Sequence, residues 1–239
     1  MRECSIKENA KLYIIITGAI ASGKTTLALN LARAVPNCFY LDKDDLGPMA
    51  EKIFEVGQEE TYDRQSDFFR RHVRDVEYDV AEIMGLRGLL FNQHVIINTP
   101  YTGEIRHEFS GRQSNRLRRL HDQVRRRGGE LMVIYIDIDK ETAMYRLNKR
   151  KNEDPAAALR TPHIYENIEA FLDKQNLSIP EDASVLNADH FFVYHAADPE
   201  TSYAELMDVM HIQTHTAYDP EISQAPFMGA VRPTPLTGI

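Results

Sequence analysis

Residues 18–25 read Gly18-Ala19-Ile20-Ala21-Ser22-Gly23-Lys24-Thr25 and directly follow the apolar run Leu12-Tyr13-Ile14-Ile15-Ile16-Thr17. A short, unbroken apolar run predicts a strand that is buried on both faces of a parallel sheet. The residues that follow, 26–34, are rich in helix formers. The sequence therefore predicts a strand, a glycine-bounded loop and a helix, which is the context that supports a functional G-x-x-x-x-G-K-T pattern.

This pattern is the phosphate-cradling P-loop, and its chemistry follows from its residue types. Glycines tolerate positive φ, so the backbone can wrap around phosphate groups while successive N–H groups and the helix N-terminus point at the anion. Lys24 would reach the β- and γ-phosphates, and the Thr25 hydroxyl would take a place on Mg²⁺. The alternative is a chance match on a strand–turn–helix corner. The residues predicted to bind a nucleoside triphosphate are Gly18, Ala19, Ile20, Ala21, Ser22, Gly23, Lys24, Thr25 and Thr26.

The composition is that of an ordinary globular protein. A length of 239 residues, 43% of them hydrophobic and 27% charged, fits one domain with a substantial core. The formal net charge of −8 argues against a general nucleic-acid binder, although a local basic patch is compatible with it. Two cysteines cannot build a disulfide framework. Since no apolar stretch reaches membrane-spanning length and residues 1–8 lack the apolar core of a signal peptide, we expect a cytoplasmic protein without membrane contact.

Strand and helix patterns alternate along the chain, which predicts a doubly wound α/β fold with a parallel sheet covered on both faces. Further strands are predicted at 38–41, 94–98, 131–136 and 184–189. Helices are predicted within 59–86, within 113–127, after Asp139, at 163–175 and at 201–211. One apolar stripe in the first of these helices predicts a core face, namely Phe69, Val73, Val76, Val80 and Ile83. Residues 1–212 are expected to form the domain, and 213–239, with four prolines, a loosely ordered tail.

Charged residues cluster after the second predicted strand and in two later segments of the chain. Asp42-Lys43-Asp44-Asp45 ends the second strand, at the sheet edge where open α/β sheets bind ligands, although these carboxylates could also cap the next helix. Arg146 and Arg150 are four residues apart on a predicted helix and share one face. Residues 101–129 contain eight arginines, and this basic segment is either solvated or a surface for an anionic acceptor.

Three of these features together resemble the small-molecule kinases of the P-loop superfamily. They are the P-loop, the Asp42-x-Asp44 pair after the second strand, and Arg146-x-x-x-Arg150 followed by Asp154. The similarity is to the nucleoside-, shikimate- and gluconate-kinase-like group, with chloramphenicol phosphotransferase and zeta-toxin-like relatives, and covers roughly residues 10–212. It implies a P-loop NTPase three-layer sandwich with five parallel strands in the order 2-3-1-4-5. It also implies a dependence on ATP and Mg²⁺.

The resemblance implies catalytic roles for Lys24, Asp44, Arg146 and Arg150. Residues 146–162 look like a LID whose two arginines, with Lys24, would neutralise charge on the transferred phosphoryl group. Asp44 would face the acceptor hydroxyl and accept or orient its proton. The alternatives are a helix cap for Asp44 and a solvated helix face for the arginines.

Metal binding is implied at Thr25 and Asp42. The third strand ends in Asn98, where many relatives carry an acidic residue, and an Asn could hold a water on Mg²⁺ but adds no charge. Metal binding would then rest on Thr25 and Asp42, unless Asp137 after the fourth strand also takes part.

The leading hypothesis is therefore an ATP-dependent kinase that phosphorylates a hydroxyl of a small molecule. A 5′-hydroxyl nucleic-acid or nucleotide kinase, with residues 106–127 on phosphates, is the first alternative, and a non-catalytic nucleotide-sensing module is the second. The sequence does not name the acceptor, does not distinguish ATP from GTP, and leaves a homodimer open. Residues proposed to line the acceptor pocket are Asp44, Arg70, Arg74, Tyr101 and Arg106.

Overall fold

The computed structural model describes residues 6, 9–59, 63–64, 66–101, 104, 115–154, 161–175, 188–212 and 216–222. Several predictions fall outside these residues. They concern Arg106, Arg112, residues 155–160 of the LID, residues 184–187 of the fifth strand, and residues 213–215 and 223–239 of the tail.

Five strands form one parallel sheet in the order β2-β3-β1-β4-β5. They are β1 (Leu12–Gly18), β2 (Cys38–Asp42), β3 (His94–Asn98), β4 (Glu130–Asp137) and β5 (His190–His195). This order confirms the predicted fold class and strand order. The P-loop follows the central strand β1, and the Asp42-x-Asp44 pair follows the edge strand β2.

Helices cover both faces of this sheet. They are α1 (Lys24–Ala34), α2 (Gly47–Val56), α3 (Arg74–Phe91), α4 (Asn115–Arg126), α5 (Lys140–Glu153), α6 (Pro162–Tyr165), α7 (Ile168–Asp173) and α8 (Pro199–Val209). A 3₁₀ turn (Lys43–Leu46) joins β2 to α2, and a π-helical turn (Phe69–Val73) leads directly into α3. Among the described helices, none is both long and apolar enough to cross a membrane.

Side chains of β1 alternate between two cores, as expected for a strand buried on both sides. Leu12, Ile14 and Ile16 belong to the core that includes residues of α1, α5, α7 and α8. Tyr13 and Ile15 belong to the core that includes residues of α3 and α4. The two cores place the P-loop between well-packed layers at the carboxyl edge of the sheet.

The fifth strand was predicted at 184–189, but β5 is His190–His195. Its sequence, His-Phe-Phe-Val-Tyr-His, is rich in aromatic side chains, which favour strands. Asp189 comes just before it and accepts a hydrogen bond from the Leu131 N–H at 2.8 Å. Asp189 therefore precedes the strand instead of ending it.

The apolar stripe predicted on the long helix is wrong beyond Val73. Phe69 and Val73 are buried, but Val76 and Ile83 are exposed and the buried positions are Glu77, Tyr78 and Ala81. A π-helical turn holds an extra residue compared with an α-helical turn, so it shifts the phase of the helix that follows by one position. The sequence pattern assumed an unbroken α-helix and therefore placed the core face one residue too early.

Two helix boundaries also differ from prediction. The helix predicted at 163–175 is divided into α6 and α7, because the Asn167 side chain caps α7 by accepting a hydrogen bond from the Ala170 N–H at 2.9 Å. The last helix begins at Pro199 instead of 201, and Asp198 is its cap. In each case a local side-chain cap sets the boundary.

Candidate functional site

The P-loop has the backbone geometry that phosphate binding requires. Gly18 and Gly23 have φ values of +143° and +101°, and Ala21 also has a positive φ of +60°. A Cβ on Gly18 would lie 2.7 Å from the Ile136 carbonyl oxygen, so a side chain does not fit there. The loop therefore depends on glycine for both conformation and space.

The N-terminus of α1 has no side-chain cap. It shares this with α2 and α3, whereas α5, α7 and α8 begin with capping side chains from Asp139, Asn167 and Asp198. The first N–H groups of α1 are thus left without a side-chain acceptor next to the P-loop. This is the arrangement that favours binding of an anion at a helix N-terminus.

The Lys24 ammonium folds back on the loop and donates hydrogen bonds to the carbonyls of Gly18 (3.1 Å) and Ala19 (2.7 Å). Desolvation lowers the pKa of Lys24 to about 8, with Asp44 and Asp42 opposing this shift and Arg150 adding to it. Asp44, Arg150 and Asp42 therefore each lie within electrostatic reach of Lys24. Four of the predicted site residues are thus brought together.

Asp42, Thr25 and Asn98 form a compact polar group where β2 and β3 end. Asn98 Nδ2 donates to Asp42 Oδ2 at 2.5 Å and to Thr25 Oγ1 at 3.0 Å, and the Thr25 hydroxyl lies 3.4 Å from Asp42 Oδ2. Burial raises the pKa of Asp42, although hydrogen bonds from the Asp44 N–H and from Asn98 partly offset this effect. A bound cation would relieve that cost.

These donors fit Mg²⁺. The ion is commonly held by one or two carboxylates, with substrate phosphates and waters completing its octahedral shell. Asp42 and Thr25 supply a carboxylate and a hydroxyl beside the P-loop, and in the described part of the chain no cluster of three or more His, Cys, Asp or Glu side chains offers an all-protein cage. The Asp137 carboxylate, which the sequence left as a further candidate, lies 3.2 Å from the His195 ring.

Asp42 also caps the 3₁₀ turn, because its Oδ1 accepts a hydrogen bond from the Asp44 N–H at 2.9 Å. The cap thus belongs to the 3₁₀ turn, whereas α2 begins without a side-chain cap. The Asp44 side chain is 75% exposed, and its carboxylate lies 3.0 Å from Arg64 Nη1 and 3.6 Å from Lys43 Nζ. Desolvation would raise the pKa of Asp44, but Lys43, Arg64 and Lys24 together outweigh it and hold this pKa below its usual range.

Sequence reasoning missed the network that holds Asp44. Glu77 is 0% exposed, accepts a hydrogen bond from Lys43 Nζ at 2.8 Å and is paired with Arg64. Lys43 and Arg64 thus each link the buried Glu77 to the exposed Asp44, and we call these four residues the Asp44 network. The apolar stripe predicted from the sequence did not include Glu77, because the pattern assumed an unbroken α-helix.

The two predicted LID arginines differ in their contacts. Arg146 Nη1 donates to the carbonyls of Ala21 (3.1 Å) and Ser22 (3.0 Å), and Nη2 donates to that of Ala196 (3.2 Å). Arg146 therefore holds the P-loop from outside and ties it to the residue after β5. Arg150 is exposed, and the described residues provide no ion pair for it.

The predicted acceptor-lining residues are engaged with other side chains. Arg74 Nη2 lies 2.9 Å from both carboxylate oxygens of Glu104, and Arg70 pairs with Asp67 at 2.7 Å. Tyr101 is buried and donates its hydroxyl proton to Glu82 at 2.9 Å. Acceptor recognition by these groups would require at least some of these pairs to open.

Part of the segment predicted as a loose tail is fixed to the P-loop helix. Asn30 on α1 is buried, its Nδ2 donates to the Asp219 carbonyl at 2.9 Å, and its Oδ1 accepts from the Asp219 N–H at 2.8 Å. Arg33 adds an ion pair with the Asp219 carboxylate at 3.1 Å. Residues 216–222, which we call the C-terminal strap, are thus anchored to α1.

Comparisons with known proteins agree with this fold. A family model described as AAA domain matches residues 14–171. A candidate kinase from Chloroflexus aurantiacus J-10-fl is 19% identical, with 84% of this chain and 95% of the other covered and a TM-score of 0.53. The tunicamycin resistance protein of Deinococcus radiodurans is 14% identical over 85% and 98%, with a TM-score of 0.51.

A sugar kinase from Janibacter sp. HTCC2649 is 15% identical over 87% of this chain and 99% of the other, with a TM-score of 0.49. A search of curated protein sequences gives no significant match. At these identities the two structures with TM-scores above 0.5 show a shared fold, and chemistry has to be argued from the residues of the site.

Proposed function

The chain belongs to the AAA domain family, and on this premise we propose that it is an ATP- and Mg²⁺-dependent phosphotransferase. Its acceptor is the hydroxyl of a small molecule. The observation that carries the proposal is the convergence of Lys24, Thr25, Asp42 and Asp44 at the carboxyl edge of the sheet, next to an uncapped helix N-terminus. Together these groups can hold a triphosphate and orient a hydroxyl beside it.

Transfer would proceed by positioning and charge neutralisation. The P-loop N–H groups and Lys24 bind the phosphate oxygens, and Lys24 exchanges its two carbonyl contacts for them. Thr25 and Asp42 would hold Mg²⁺, and the ion would supply positive charge to the phosphate oxygens. Arg150 is exposed beside Lys24 and can approach the transferred group, while Arg146 keeps the loop in place.

Asp44 is placed to accept a hydrogen bond from the acceptor hydroxyl. Its lowered pKa keeps the carboxylate ionised but makes it a weak base. This suits a reaction in which the transition state is loose and the hydroxyl has to be oriented more than deprotonated early. The Asp44 network would then fix the direction of the carboxylate.

Two of the arginines on α4 are paired with carboxylates of the same chain. Arg116 is paired with Asp79 at 2.7 Å and with Glu82 at 3.1 Å, and Arg125 with Asp189 at 2.6 Å. These two arginines are neutralised within the chain and contribute less to binding a polyanion. The small-molecule acceptor is therefore the proposal that we retain.

The test is ATP consumption by purified protein against a panel of hydroxyl acceptors, with the phosphorylated product identified by mass. Asp44→Asn should lose at least about 100-fold in turnover, as expected when a charged positioning group is removed. Asp45→Asn is the matched control, since Asp45 lies on the same 3₁₀ turn and is also exposed. Equal loss in both variants, or none in either, contradicts the role of Asp44.

A nucleotide-sensing module would behave differently in the same assay. It would bind ATP in a manner that depends on Lys24, yet no acceptor on the panel, including oligonucleotides with a 5′-hydroxyl, would stimulate turnover. That outcome would overturn the kinase proposal.

A further inference from the structure

The outer face of α3 is unusually apolar for a surface helix. Of the large hydrophobic side chains that are exposed among the described residues, most lie on this helix, and they are Val76, Ile83, Met84, Leu90 and Phe91. Ile83 is 61% exposed and Phe91 is 79% exposed. Val76, Ile83 and Leu90 are spaced seven residues apart, which is about two helical turns. They therefore form one stripe along the helix. Contiguous exposed apolar surface of this kind marks an interaction site more often than single exposed residues do.

The packing of the opposite face fixes this stripe outward. Gly85 and Gly88 of α3 lie against Tyr13 and Phe39, and added Cβ atoms would come within 2.5 Å of the Tyr13 hydroxyl oxygen and within 2.7 Å of the Phe39 ring. The helix therefore contacts the sheet so closely that it cannot rotate to bury Ile83 without displacing aromatic side chains. The apolar stripe is a stable feature of the surface.

Two charged residues flank the centre of the stripe symmetrically. Asp79 lies four residues before Ile83 and Arg87 four residues after it, so both lie about one helical turn away on the same face. Asp79 is exposed although it is paired with Arg116. Arg87 is also exposed, and it has no ion pair within the part of the chain that the structure describes. A partner that covers the apolar stripe would therefore match this surface best if it placed an acidic side chain next to Arg87.

We propose that the partner is a second copy of this chain, packed through α3 about a two-fold axis near Ile83. In this antiparallel arrangement Asp79 meets the partner's Arg87, and Arg87 meets the partner's Asp79. Val76 then lies opposite the partner's Leu90, and Ile83 opposite the partner's Ile83. A two-fold interface must be self-complementary, and the order Val76, Asp79, Ile83, Arg87, Leu90 satisfies this requirement when it is read in both directions.

The first test is sedimentation velocity of the full chain at micromolar concentrations. The wild type is expected to be a dimer, and Ile83→Glu should weaken the dimer at least about tenfold because it places two like charges at the centre of the interface. Tyr145→Glu is the matched control, because Tyr145 is 69% exposed but lies on α5, whose core is on the other face of the sheet. A monomeric wild type overturns the proposal, including the case in which another segment of the same chain covers the stripe.

The second test does not depend on a disruptive change. In a background with Cys4→Ser and Cys38→Ser, Ile83→Cys should form an intermolecular disulfide under mild oxidation, since a two-fold axis at this residue brings the two Cα atoms within bonding range. Tyr145→Cys in the same background should not. A dimer that survives Ile83→Glu and fails to cross-link at Ile83→Cys uses a different surface, and this result also overturns the proposal.

Discussion

Two regions at the carboxyl edge of the sheet differ in how they are built: the P-loop, which we propose as the nucleotide side, and the Asp44 network, which we propose as the acceptor side. On the nucleotide side, main-chain groups of the P-loop are available to a phosphate, and Lys24 contacts main-chain carbonyls and, among the described residues, no carboxylate directly. On the acceptor side, charged side chains from distant segments pair with one another, as Lys43 and Arg64 do with Glu77. The first region is open to an anion, whereas the second has neutralised its own charges.

This difference predicts how each region responds to change. A main-chain site tolerates many substitutions but is sensitive at the few residues that set its geometry or supply its charge. A network of buried charges depends on every member, because removal of one leaves another without a partner in a poorly solvated place. Four experiments test this contrast, and they are described from the largest expected effect to the smallest.

The largest effect is expected from Lys24→Ala on the nucleotide side. Loss of the cation that reaches the transferred phosphate should lower turnover by about 100- to 1000-fold, which is the usual cost of removing one transition-state donor. Thermal stability should change little, because Lys24 contacts only main-chain carbonyls of its own loop. Lys140→Ala is the control, as Lys140 pairs with Asp173 on the surface. A large loss of thermal stability in Lys24→Ala would contradict the proposed difference between the two sides.

On the acceptor side, Glu77→Gln should act mainly on stability. The amide keeps the shape but leaves Lys43 and Arg64 without their buried counter-charge, so we expect a loss of about 3 kcal/mol in the free energy of unfolding by urea. The control is Glu55→Gln, which breaks an exposed pair with Lys52 and should cost less than about 1 kcal/mol. Similar losses in the two variants would show that the Asp44 network is no more important than a surface pair.

Asn30→Ala tests whether the main-chain site is supported from outside. The variant removes the two hydrogen bonds between Asn30 and Asp219, and we expect a loss of about 2 kcal/mol in the free energy of unfolding. Asn148→Ala is the control, since Asn148 is exposed and donates within its own helix. Proteolysis should release residues after 212 faster in Asn30→Ala. Unchanged proteolysis would contradict an anchoring role for Asn30.

The smallest effect concerns the amino edge of the sheet, which belongs to neither side. Burial lowers the pKa of His94 to about 4, so this imidazole is neutral in the folded chain at pH 5.5, whereas an unfolded chain binds a proton there. Folding stability should therefore fall as the pH falls from 7 to 5.5, by about 1 kcal/mol from this group. His94→Leu should reduce the slope, and His195→Leu, at an exposed histidine, should not. Parallel slopes in wild type and His94→Leu would exclude the effect.

The same contrast explains which parts of the molecule could be predicted from the sequence. The P-loop is local, so its strand, glycines, lysine and helix could be identified residue by residue, and the meeting of Thr25 with Asp42 followed from the resemblance. The Asp44 network could not be predicted, because Glu77 faces inward only after the π-helical turn. The hydrogen bonds between Asn30 and Asp219 join residues 189 positions apart, and a local sequence pattern cannot predict a contact at that separation.

The π-helical turn at Phe69–Val73 makes the outer surface of α3 depend on the length of the chain. Deletion of one residue within the turn would allow it to close as an α-helix only if α3 rotated by about 100° and displaced the aromatic side chains that Gly85 and Gly88 contact. The same sequence would then direct Val76 and Ile83 toward the sheet and Glu77 away from Lys43. Deletion of a single codon could thus remove the surface that we propose for self-association. It would also separate Asp44 from the buried Glu77 to which Lys43 links it. Related chains that differ in length here should be aligned with their gap inside the turn, because a gap placed elsewhere would match core residues with surface residues.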